Sequence, residues 1–98
     1  MFCKIFIRTF PSTEECELFE SILQTKWPEL IKNVPGVTFN AYRNKQSPNV
    51  STVIWQFPDA KSQEEIEKLI EDNIQRFTQT LSPKTMTFSG QQTIHLQS

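Results

Sequence analysis

Residues 37–57 read VTFNAYRNKQSPNVSTVIWQF and predict two neighbouring strands joined by a loop. Apolar and polar side chains alternate over 37–43, as expected for a strand that is buried on one side. Residues 50–57 are rich in β-branched and aromatic types and place Trp55 and Phe57 on the same side. Because the polar segment between the two stretches is short, the strands should pair antiparallel as a hairpin.

An amphipathic helix and a further strand flank this hairpin on each side. Apolar residues recur at helical spacing over 18–34 and over 66–81, and a capping box precedes each stretch. Pro28 interrupts the first stretch and predicts a kink there, or a new short helix with Pro28 in its first turn. Residues 2–10 and about 85–89 have the composition of strands, so the predicted order of elements is βαββαβ.

This order predicts a ferredoxin-like α+β fold. Right-handed crossovers place both helices on one face of a four-stranded antiparallel sheet, with the strands in the order 4-1-3-2. A chain of 98 residues is long enough for one hydrophobic core, and we therefore expect a single domain over 1–98. Gly90 suggests a bulge or a bend, and residues 91–98 after it look extended again.

Composition and charge exclude several classes of protein. The 10 basic and 11 acidic residues give a net charge of −1, which lacks the footprint of a general nucleic-acid binder. With 2 glycines no phosphate-cradling loop is possible, and 2 cysteines with 1 histidine cannot complete a structural zinc site. No apolar run approaches the roughly 20 residues of a membrane span. Charges also interrupt any signal-peptide core, so we expect a cytoplasmic protein without a metal or a cofactor.

Alternation along each strand predicts which side chains face the helices. The predicted helix-facing set is Ile5, Ile7, Val37, Phe39, Ala41, Val53, Trp55, Phe57, Met86 and Phe88. The predicted open face carries Lys4, Phe6, Arg8, Thr38, Asn40, Tyr42, Thr52, Ile54, Gln56, Thr87 and Ser89. A register error of one residue would exchange the two sets, and the first strand is apolar on both sides.

Several of these features occur together in one known superfamily. Pro35-Gly36 follows a long first helix, Tyr42-Arg43 ends the second strand, and Val53-Ile54-Trp55 precedes the acidic start of the second helix. In order and spacing the chain resembles the dimeric α+β barrels, which include antibiotic-biosynthesis-type monooxygenases and stress-responsive barrel proteins. The resemblance implies a homodimer that pairs its open sheet faces, with residues 91–98 reaching across to the partner's sheet.

The same resemblance implies a small apolar or aromatic molecule in a cavity of the barrel, bound there or oxidised by a cofactor-independent monooxygenase-like activity. Heme-degrading relatives use a histidine on a helix as the iron ligand. The second helix of this chain has no histidine, so we expect no heme site.

A small set of side chains could contact such a ligand, although none is assigned a catalytic role. The candidates are Phe6, Arg8, Asn40, Tyr42, Trp55 and His95. The two aromatic residues Tyr42 and Trp55 suit a flat ligand, and His95 titrates close to neutral pH. Each candidate also has an ordinary structural interpretation, such as core packing for Trp55 and an interface position for His95.

Two other functions remain open. The open sheet face could serve a non-catalytic protein-interaction or regulatory module. Residues 5–11 are also similar to the first-strand motif of RNA-recognition domains, which share the βαββαβ order. However, Thr52 and Ile54 stand where that family carries its stacking aromatic residues, so RNA binding is the lesser alternative.

Overall fold

The computed structural model describes all 98 residues and has the predicted order of elements. The strands are β1 (Phe2–Thr9), β2 (Thr38–Arg43), β3 (Val50–Phe57) and β4 (Lys84–Gln91), and the helices are α1 (Thr13–Leu30), α2 (Ala60–Asn73) and α3 (Gln75–Leu81). A short 3-10 turn over Ile31–Asn33 follows α1. The sheet has the order β2-β3-β1-β4 with antiparallel neighbours, which confirms the predicted ferredoxin-like α+β fold and its strand order.

Capping side chains explain where the two long helices begin. The Ser12 hydroxyl accepts a hydrogen bond from the Glu15 N–H at 3.2 Å, as the sequence predicted for α1. The second helix starts earlier than predicted, because Asp59 is its N-cap and Ser62 closes the capping box from the third helical position. The Ser62 N–H donates to the Asp59 carboxylate at 2.8 Å, and this bond lowers the pKa of Asp59.

Each long helix has an irregular point in its interior. α1 continues past Pro28 to Leu30, although the proline has no N–H to donate to the preceding turn. The predicted second helix is divided at Ile74, whose φ of −114° departs from helical geometry. Ile74 is buried, so its side chain stays in the core although the helix is interrupted there.

The face prediction is correct for β2 and β3 and wrong for β1 and β4. Phe6 lies opposite the buried Val53, so it faces the helices and Ile5 and Ile7 face away. Residues that the prediction placed on the wrong face are Lys4, Ile5, Phe6, Ile7, Arg8, Met86, Thr87, Phe88 and Ser89. The reason is physical: β1 carries apolar residues on both sides, so alternation along this strand does not identify the buried face.

Aromatic rings fill the space between the sheet and the helices. Trp55 of β3 lies at the centre, with its ring centroid 4.6 Å from that of Trp27 on α1 and 4.8 Å from that of Phe39 on β2. Both pairs have the edge-to-face geometry that aromatic quadrupoles favour. At the other end of the core Phe10 packs against Phe19, with ring centroids 5.3 Å apart.

None of the helices is long and apolar enough to cross a membrane.

The substitution Trp55→Ala should lower the free energy of unfolding by about 3–5 kcal/mol, because it leaves a cavity among three packed rings. Urea unfolding measures this change. Leu18→Ala is the matched control, since Leu18 is exposed on α1 and its truncation should cost less than about 0.5 kcal/mol. A loss below about 1 kcal/mol for Trp55→Ala would contradict the central position of this side chain.

Candidate functional site

The sheet face that the helices leave bare is lined by large apolar side chains. Strand register places Met86, Ile7, Thr52 and Tyr42 in one row across the sheet. The next row consists of Phe88, Ile5, Ile54 and Asn40. We name the apolar members of these two rows the apolar face: Ile5, Ile7, Tyr42, Ile54, Met86 and Phe88. Met86, Phe88 and Tyr42 are 70%, 59% and 56% exposed, so large apolar side chains contact water on this face.

The structure does not bring the predicted site residues together. Asn40 and Tyr42 lie on the open face, as predicted from the alternation of β2. Phe6 and Arg8 are instead buried on the helix side, which corrects the prediction that they belong to the open face. Trp55 is also buried in the core.

His95 lies in the C-terminal segment and lines a groove at one end of the open face. The groove has a volume of about 780 Å³ and lies between the beginning of β1, the end of β4 and the segment after β4. The Gln92 N–H donates to the Met1 carbonyl at 2.8 Å, and this bond holds the first residue of the segment beside β1. The groove therefore combines residues from both ends of the chain.

Gly90 shapes one wall of this groove. A Cβ atom at this position would lie 2.7 Å from the nearest carbon of the Phe88 ring, which is closer than non-bonded carbon atoms approach. The missing side chain thus allows the Phe88 ring to lie along its own strand, over Gly90. Residue-by-residue alternation could not identify Phe88, Cys3 and Gln56 as groove residues. A glycine two residues after a phenylalanine in a strand is the signal that the sequence did contain.

Arg8 is an unusual group on the helix side of the sheet. It is 5% exposed, and its Nε atom has no hydrogen-bond partner. The guanidinium carbon lies 4.5 Å from the ring centroid of Phe6 and 4.9 Å from that of Phe19. Burial lowers the pKa of Arg8 to about 10, so the side chain stays protonated at neutral pH. Two aromatic faces thus accommodate a buried cation that no carboxylate neutralises.

A polar cluster on the same side of the sheet explains why no acid pairs with Arg8. The Ser51 hydroxyl donates to one Glu20 oxygen at 2.7 Å, and Arg43 donates to the other. The bond to Glu20 raises the pKa of Arg43. Burial, followed by the charge of Glu20, raises the pKa of the free thiol of Cys16, so this cysteine stays protonated. Both Glu20 oxygens are therefore engaged away from Arg8.

The enclosed space at the centre of the sheet–helix layer is too small for an organic ligand. The void beside Arg8, which Trp27, Trp55 and Phe39 also line, measures about 10 Å³. That volume is at the lower limit for one water molecule. No group of three histidine, cysteine or acidic side chains comes together in a way that could hold a metal ion.

The substitution Arg8→Met should keep or raise the free energy of unfolding, by up to about 2 kcal/mol, because it replaces an unneutralised buried cation with an apolar side chain of similar length. Chemical denaturation measures the change. Arg8→Lys is the control: it keeps the charge but loses the planar stacking on two rings, and it should destabilise the protein. A loss above about 2 kcal/mol for Arg8→Met would mean that the charge itself is stabilising.

Comparison with known proteins agrees with the fold. No protein-family model and no curated protein sequence matches the chain. Among solved structures, two dimeric ferredoxin-like proteins from uncultured marine organisms match with TM-scores of 0.76 and 0.80. The first is 18% identical over 97% of both chains, and the second is 15% identical over 99% of this chain and 92% of its own.

The cofactor-independent oxygenase SnoaB from Streptomyces nogalater also matches, with a TM-score of 0.70 and 14% identity over 99% of this chain and 97% of its own. Further neighbours include an antibiotic biosynthesis monooxygenase. The chain therefore has the fold of dimeric ferredoxin-like and antibiotic-biosynthesis-monooxygenase-like proteins. This agrees with the superfamily that the sequence resembles. At these identities the likeness shows the fold alone.

Proposed function

We propose that this protein is a homodimeric α+β barrel that binds a small apolar molecule. The apolar face is the observation that carries this proposal. A two-fold axis through the face would bring the same side chains of two copies together, so apolar surface would meet apolar surface. Fully burying a side chain of this size contributes about 1.5–3 kcal/mol relative to leaving it in water, and each copy offers several.

The C-terminal segment supports an arm that contacts the partner. Ile94 and Leu96 are 76% and 88% exposed, and polar residues alternate with them. The alternation is that of a strand with one apolar side, yet β4 ends at Gln91. A second sheet placed over the apolar face would offer these two side chains a surface to cover, as the resemblance to dimeric barrels implies.

The class of ligand follows from the structural neighbours and from the filled interior. One neighbour is a cofactor-independent oxygenase, which supports a small apolar or aromatic ligand for this chain as well. The 10 Å³ void beside Trp55 and Arg8 has no room for it, so the ligand should lie outside this part of the core. Oxidation of the ligand without a cofactor stays a prediction.

The free cysteines Cys3 and Cys16 support a cytoplasmic location.

The dimer is tested by light scattering on a sizing column at micromolar concentration. The expected mass is twice 11.5 kDa. Met86→Glu should shift the protein to the monomer, because it places a charge within the apolar face without disturbing the core. Leu18→Glu, on the exposed side of α1, should leave the dimer unchanged.

Two results would contradict the proposal. The first is a monomeric wild-type protein, which would favour the alternative of an interaction module that uses the same sheet face for another partner. The second is a Met86→Glu protein that stays dimeric over the same concentration range as the Leu18→Glu control, because the dimer would then use a different surface.

A further inference from the structure

Arg8 lines the small void between the sheet and the helices, and we propose that this void binds a single halide ion, with chloride as the ligand. The site lies on the helix side of the sheet and includes no residue of the apolar face. The inference therefore goes beyond the proposed function and does not depend on it.

The guanidinium of Arg8 has hydrogen-bonding capacity that the protein leaves unused. Arg8 is 5% exposed, its Nε–H has no acceptor, and it belongs to none of the ion pairs of the molecule. The rings of Phe6 and Phe19 lie against the cation, but they do not replace the oxygen acceptors that a guanidinium has in water. Both oxygens of Glu20 are engaged by other donors. A buried cation in this state is stabilised by an anion placed beside it.

The lining of the void favours an anion over a water molecule. The other eight lining residues are hydrophobic. Their polar side-chain groups are the indole N–H groups of Trp27 and Trp55, so the side chains around the void offer donors and no acceptor. A buried water molecule needs about two to four polar partners and also has its own hydrogens to donate. An anion only accepts, so it suits this lining.

The size of the void selects a monoatomic anion. The void measures about 10 Å³, which is about what one water-sized sphere requires. A halide ion is only slightly larger than a water molecule, whereas sulfate, phosphate and an organic carboxylate are several times larger. A halide also carries a single negative charge, so it would neutralise Arg8 without leaving an excess charge in the core.

The balance of energies favours weak but specific binding. Folding already takes Arg8 out of water, so the cost of burying the cation is present with or without the ion. A chloride ion loses its own hydration shell on entry and gains attraction to the guanidinium over a short distance at low dielectric constant. Because these two contributions largely oppose each other, we expect a dissociation constant of about 10–50 mM.

Equilibrium unfolding in urea at matched ionic strength tests the proposal. Sodium chloride and sodium gluconate at about 0.2 M supply the same concentration of charge, but gluconate is too large for the void. An ion that binds only the folded protein shifts its equilibrium by mass action, so chloride should raise the ratio of folded to unfolded protein at least about fivefold relative to gluconate. Because the chain unfolds and refolds in each salt, slow entry of the ion into the core does not limit the measurement.

Substitutions at Arg8 distinguish the site from a general effect of salt. Arg8→Met should abolish the difference between the two salts. Arg8→Lys should keep at least about a twofold difference, because it keeps a cation beside the void. Lys45→Met removes an exposed charge from the loop between β2 and β3, so it should respond to chloride as the wild-type protein does. An equal response of the wild-type and Arg8→Met proteins would overturn the proposal.

A crystal structure of the wild-type protein grown in sodium chloride provides an independent measurement. With long-wavelength diffraction data chloride scatters anomalously and water does not, so an anomalous peak should lie within hydrogen-bonding distance of the Arg8 guanidinium. A water molecule without anomalous signal at that position, or an unoccupied void, would overturn the chloride site and leave the proposed dimer standing. A monomeric protein with the expected chloride response would contradict the dimer alone.

Discussion

The register of β1 against its two neighbours is the constraint on which the rest of the structure depends. Ile5 lies opposite Ile54 on one side and opposite Phe88 on the other, and the antiparallel ladders on both edges fix this arrangement. A shift of one residue would exchange Phe6 with Ile7 and expose the ring that now shields Arg8. The buried aromatic core and the apolar face are thus two results of the same pairing, because one strand supplies the centre of both.

The filled interior limits where a ligand can bind. Trp27, Phe39 and Trp55 meet in edge-to-face contacts, and the space that remains beside them is no larger than a water molecule. Close packing of this kind stabilises the sheet against the helices but leaves no room for an organic molecule. The groove at the Gly90 end has the volume that the interior lacks, since it forms where the sheet ends and the C-terminal segment begins.

How far the sequence determines these features varies along the chain. The capping boxes, the helical periodicity and the alternation of β2 and β3 are local signals, and they predicted the fold and placed Asn40, Tyr42 and Trp55 on their correct faces. Which side of β1 and β4 is buried depends on pairing between distant segments. Because β1 has apolar residues on both sides, its sequence alone does not identify the buried side. The groove was beyond prediction for the same reason, because the positions of Cys3, Gln56 and His95 are related only by the folded sheet.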